Sequence, residues 1–290
     1  MLNQTQTYYD RMRASLGDKE RMVEHLHGTK VIDMGDGDGA LVRFLLDAGY
    51  DAYGIDAAAE SVHQSDSDSE LAQRIKLGYA HEGETFFEPG SIDTILASSL
   101  LHEVYSYGIP GGTKLSDEAL EKTFTSWHTL LKPGGQLIIR DGILPDNWAE
   151  LTSIRFNGDY RYADGVDTVA EYLNMIPFRD SKMEADYRKV NLVQTGAEEF
   201  TGTFESVMEF IYTYNWGREN YAREAQELYG LFTLDGYQEY LKTYGFKIVE
   251  AHSYTQQGYR DHLGSKLQLW RDGAPIDIPP TNALIVVEKI

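Results

Sequence analysis

The 290-residue sequence contains no cysteine. Disulfides, thiolate metal sites, iron–sulfur clusters and cysteine nucleophiles are therefore excluded. No apolar run approaches the ~20 residues needed to span a bilayer. The opening MLNQTQTYYDRMR lacks the basic-then-apolar order of a secretory leader. The expectation is a soluble, cytoplasmic protein with no membrane partner. Basic residues are scarce as well: 26 Lys and Arg stand against 46 Asp and Glu, a formal net charge of −20. Such a field repels polyanions, and no cluster of lysines and arginines offsets it, so a nucleic-acid partner is disfavoured.

What is present reads as an alternation of strands and helices. Thr5–Leu26 has weak helical periodicity, with Gly28 as a stop signal. Lys30–Met34 reads as a short buried strand, Gly35–Gly39 as a glycine-rich turn, and Ala40–Ala48 as a helix. Asp51–Asp56 is a second strand with an acid at its end. A helix starting at Ala57, a weak strand at Arg74–Leu77, a strand at 91–97 and a helix at Glu118–Leu131 follow. Lys132-Pro133-Gly134-Gly135 then feeds a strand over Gln136–Arg140. This order predicts a parallel sheet. The rhythm breaks after Asp141 and resumes at Thr233, with final strands at Phe246–His252 and Ala283–Lys289 around a long connection, Thr255–Asn282. The predicted organisation is an α/β core formed by residues 1–144 and 233–290, interrupted by a mainly helical insertion at 145–232.

A glycine turn between a strand and a helix exposes backbone N–H groups to a ligand. Gly35-x-Gly37-x-x-Ala40 satisfies a dinucleotide fingerprint, with Asp56 placed for a ribose. Charge argues otherwise. From Asp33 to Glu70 there are ten acids and one base, Arg43, and Asp36 and Asp38 lie within the turn. A pyrophosphate would meet them head-on, whereas a sulfonium nucleoside with one carboxylate is tolerated.

The segment VIDMGDGDG resembles the first motif of class I S-adenosylmethionine-dependent methyltransferases. SIDTILASSLLHEV is similar to that family's fourth motif, LLKPGGQLIIRD to its post-helix turn and fifth strand, and GFKIVEAHSYT and NALIVVEKI to its last two strands. The resemblance covers about residues 25–142 and 233–290. It implies a Rossmann-like seven-stranded sheet, mostly parallel with an antiparallel last strand, and S-adenosyl-L-methionine as cofactor. It places Asp33, Gly35, Asp36, Gly37 and Gly39 at the methionine part of the cofactor, and Asp56 with Ala57 at the ribose. Tyr79, Ala80 and His81 are assigned to the adenine by position alone, because RIKLGYAHEG lacks the family's usual Gly-Asp-Ala ending. Ser98, ending the fourth strand, completes the expected set.

Methyl transfer from a sulfonium requires orientation, shielding and, for some acceptors, a base. His102 follows the fourth strand, where open sheets face their ligand, and its ordinary pKa suits proton transfer near neutrality. Lining the cofactor pocket is its bland alternative. Glu103 is expected either to orient His102 and hold a cationic acceptor or to face solvent. Asp141 ends the fifth strand and is expected to bind an acceptor amine or hydroxyl, with pairing to Arg140 or capping as the bland alternative. No metal site is expected, because Asp146-Asn147 lacks a partner carboxylate at a recognisable spacing. Thirteen of the 20 tyrosines fall between Tyr160 and Tyr259. The run Tyr212–Trp216 is expected to contribute to a lid over a small-molecule acceptor, and Tyr8 and Tyr9 to close the cofactor pocket. Methylation of RNA or protein, a non-catalytic cofactor-binding module, and use of the cofactor for elimination or cyclisation remain alternatives. Homo-oligomerisation is left open.

Overall fold

The computed structural model describes residues 16–59, 62, 70–161, 165–183 and 188–290. Tyr8, Tyr9 and most of the expected helix after Ala57 lie outside them. Two compact units are present. The first is built from Met1–Asp141, Asp235–His252 and Ala283–Ile290, the second from Gly142–Leu234 and Ser253–Asn282. Twelve strands are described, numbered here along the chain. Those of the first sheet are β1 (Lys30–Met34), β2 (Asp51–Asp56), β3 (Ile75–Leu77), β4 (Ile92–Ser98), β5 (Leu131–Gly142), β9 (Phe246–Tyr254) and β12 (Asn282–Lys289). Those of the second are β6 (Leu151–Phe156), β7 (Leu192–Gly196), β8 (Glu199–Thr203), β10 (Leu267–Arg271) and β11 (Ala274–Ile276).

The first sheet has the order β3-β2-β1-β4-β5-β12-β9. β1 pairs in parallel with β2 and β4, β2 with β3, and β4 with β5. The sheet is mostly parallel, with one strand joined antiparallel. The apolar strand sequences follow from burial on both faces: Val31, Ile32 and Met34 of β1 and Ile95 and Leu96 of β4 are all sequestered. β5 begins earlier than the sequence suggests. Leu131 already pairs with Ile92, and the Pro-Gly-Gly segment is taken up as a register shift before Thr94 meets Gln136. The helix Asp117–Leu130 starts where Ser116 Oγ accepts the Ala119 N–H (3.3 Å). It buries Phe124, Trp127 and Leu130.

The second unit contains the helices Thr168–Met175 and Phe204–Asn215, each with a side-chain N-cap, Asp167 and Thr203 respectively. It also contains a five-stranded antiparallel sheet, β11-β10-β6-β8-β7, which the sequence reading does not contain. The alternation in β6 is real but muted: Thr152, Ile154 and Phe156 point inward while the large Leu151 is exposed. β8 places Phe200 and Gly202 inward, and a glycine contributes no apolar signal. The boundaries differ accordingly. Residues 253–282, read as a connection within the core, supply β10, β11 and a helix to the second unit.

The tyrosine run is also corrected. Tyr212 and Thr213 are buried within the second unit, and Tyr214 is packed against its core, stacked on Phe210 with ring centroids 5.2 Å apart. The Tyr212 hydroxyl lies 2.7 Å from the Ile143 carbonyl and 3.2 Å from that of Thr281. Its polar tip therefore ties strand-flanking segments together inside the core, and the aromatic faces are spent on packing.

Candidate active site

At the carboxyl ends of β1, β2 and β4 the chain builds a turn, an acid and a helix start. Gly35, Gly37 and Gly39 all have positive φ (74°, 73° and 83°), the backbone region that favours glycine. Asp56, ending β2, clamps this turn. Its Oδ2 accepts the Gly37 N–H (2.9 Å) and its Oδ1 accepts the Ala58 N–H (2.7 Å), with Ala57 between. The Gly78 N–H donates to the Asp56 carbonyl (2.9 Å), which brings the segment after β3 to the same edge. There Tyr79 and His81 stack with centroids 5.9 Å apart, and the Ala80 carbonyl accepts the Trp127 indole N–H (2.9 Å). Burial holds the His81 pKa below its ordinary value, so the ring is neutral at physiological pH.

Asp33 and Asp36 do not line the mouth of the turn. They are 1% and 3% exposed. The Asp36 carboxyl is packed against Gly54 of β2, where a Cβ would stand 2.6 Å from Oδ2. Burial raises the pKa of both; Asp33 raises that of Asp36 further, while the contact with Asp36 eases the charging of Asp33. Lys19, buried in the helix Leu16–Val23, partly opposes this. The turn's open side therefore presents Asp38 and Asp56, both half-buried, and less negative charge than the sequence count implies.

The second cluster joins β4 to β5. Asp141 is fully buried at the end of β5. Its Oδ2 receives the N–H groups of Leu100, Leu101 and His102 at 3.1, 2.6 and 3.4 Å, satisfying the first turn of the helix Leu101–Tyr107. Its Oδ1 lies 2.6 Å from His102 Nδ1. A carboxylate so placed is an acceptor, so Nδ1 carries the hydrogen. Asp141 thus positions His102. Glu103 is half-buried one residue on. Ser98 is buried, and the neighbouring Ser99 has φ 55°. Arg140, expected only as a partner for Asp141, is a buried guanidinium whose Nη1 donates to Ser99 Oγ at 2.9 Å and is 3.5 Å from Ser98 Oγ.

A family described as a methyltransferase domain matches residues 32–139, from β1 to β5. That segment therefore resembles a methyltransferase domain. An uncharacterized methyltransferase of Bacillus cytotoxicus is 27% identical over 159 residues, covering 53% of this chain and 66% of that protein; one from Bacillus mycoides matches equally. The match thus spans just under two thirds of the length of these relatives. The fold is shared with a methyltransferase of Methanosarcina mazei (TM-score 0.51, 15% identity, 93% and 97% of the two chains). It is shared too with an S-adenosylmethionine-dependent methyltransferase of Mesorhizobium loti (0.52, 13%, 95% and 98%).

The residues present fit S-adenosylmethionine. Among the described residues, a Cβ added to Gly37 meets nothing within 4 Å, whereas Gly35 and Gly39 back onto Leu100 and Ile75. Asp56 is half-buried at the edge of the turn, and a carboxylate is the acceptor that ribose hydroxyls require. Among the described residues, no helix is long and apolar enough to cross a membrane.

Proposed function

We propose that the chain transfers the methyl group of S-adenosylmethionine to an oxygen or nitrogen of a small-molecule acceptor, with His102 as general base. The observation that carries this is the buried 2.6 Å contact between His102 Nδ1 and Asp141 Oδ1. Bound cofactor supplies an already activated methyl group for in-line displacement. The chain's own residues do the rest. Gly35–Gly39 and Asp56 hold the cofactor, Tyr79 and His81 flank the adenine end, and His102 Nε2 takes the acceptor's proton. Asp141 fixes the tautomer and favours the imidazolium that forms, the role a buried carboxylate has beside other catalytic histidines.

The net charge of −20 favours a neutral or cationic acceptor over RNA. The test is incubation with labelled S-adenosylmethionine and fractionated small metabolites, basic peptides or RNA. Label in a small-metabolite fraction that is lost in His102→Gln supports the proposal. Label only in peptide or RNA assigns a macromolecular acceptor, and cofactor binding without any transfer makes the chain a non-catalytic module.

A further inference from the structure

Beneath the glycine turn the Asp33 and Asp36 side chains lie within hydrogen-bonding reach of one another. Among the described residues, none of their four carboxyl oxygens has a donor. Two ionised carboxylates cannot bond each other, and two bare charges in a dry interior are strongly disfavoured. One shared proton resolves both difficulties: one carboxyl donates to the other, and the remaining negative charge faces the buried Lys19. The surroundings support this. Gly54 of β2 leaves the space that the Asp36 carboxyl fills, and Leu100 and Ile75 close the apolar sides at Gly35 and Gly39. Among the described residues, the charged groups facing the pair are Lys19 from the helix Leu16–Val23 and Asp56 from the end of β2.

We propose that Asp33 and Asp36 form a one-proton carboxyl pair that senses the positive charge of the cofactor through the backbone of the turn, so that binding the sulfonium form releases a proton that binding the demethylated product does not. The inference rests on the cofactor assignment above. A cation laid against the turn favours the doubly ionised pair, because burial leaves the interaction poorly screened. S-adenosylhomocysteine lacks the sulfonium charge and leaves the proton in place. The pair then lets the protein distinguish cofactor from product by charge, with pH setting the degree of preference.

Calorimetry of both nucleosides across pH, in buffers of different ionisation enthalpy, tests this. The expected result is a ratio of S-adenosylmethionine to S-adenosylhomocysteine affinity that rises with pH, by up to about tenfold per unit, with proton release seen only for the former. In Asp36→Asn, a neutral isostere of the protonated acid, both nucleosides should bind and the ratio should be flat. A flat ratio in the wild type, or a slope unchanged in Asp36→Asn, would overturn the pair while leaving the cofactor assignment intact. Failure of Asp36→Asn to fold at neutral pH would also overturn it, since the variant copies the neutral form. Binding of neither nucleoside would overturn the cofactor assignment itself.

Discussion

Asp141 Oδ1 sits 2.6 Å from His102 Nδ1 while Oδ2 gathers the first N–H groups of the helix that carries His102. One carboxylate thereby sets both the helix start and the imidazole orientation. In Asp141→Asn an amide N–H facing Nδ1 selects the opposite tautomer and puts the hydrogen on Nε2. Turnover is expected to fall by roughly 10²–10⁴-fold, with cofactor affinity nearly unchanged because Asp141 is not in the turn. Single-turnover methyl transfer and calorimetry on the same preparation separate the two; unchanged turnover would remove His102 as base.

The second unit holds a buried ionic cluster. Arg179 pairs with Asp180 (2.9 Å) and stands 3.5 Å from Glu209, and Arg188 lies 3.3 Å from Glu205. Burial, only partly opposed by Arg188, pushes the Glu205 carboxyl up to about 7 from an ordinary 4.5. Between those values the folded chain holds more protons than the unfolded chain. The stability from this group is therefore complete below pH 4.5 and is lost as pH rises through 7. Denaturation midpoints of wild type and Glu205→Gln should converge at acid pH and separate above it, by at most about 1.4 kcal/mol per pH unit. Parallel curves would show that Glu205 titrates normally.

Gly54 faces the Asp36 carboxyl so closely that an added Cβ would lie 2.6 Å from Oδ2 and 2.8 Å from Cγ. Gly54→Ala must displace Asp36 and, with it, the turn. A loss of about 1–3 kcal/mol in stability is expected, together with weaker cofactor binding. Chemical denaturation and calorimetry check both; a stable variant of unaltered affinity would mean that Asp36 does not brace the turn.

The first sheet was legible because parallel strands buried on both faces read as unbroken apolar runs, and because Gly35, Gly37 and Gly39 mark a turn that requires positive φ. Asp56 and His102 were legible from their places at strand ends. Asp36 was misjudged. Its position in the turn says nothing of its direction, and only Gly54, 18 residues on and in the neighbouring strand, shows that the side chain points inward. The antiparallel sheet escaped notice because Gly202 and Thr152 occupy inward positions where apolar residues would have made alternation plain. The contact of Arg140 with Ser98 and Ser99 was not legible, because those residues lie at the end of a different strand from Arg140 and meet it only once the sheet has formed.

The central claim is that the turn clamped by Asp56 holds a sulfonium nucleoside. Titration of the purified protein with S-adenosylmethionine and, separately, with NAD is its most direct test. The account predicts saturable binding of the first, weakened roughly tenfold or more in Asp56→Ala through loss of a charged acceptor, and none of the second. Tight binding of NAD with no response to S-adenosylmethionine would contradict it.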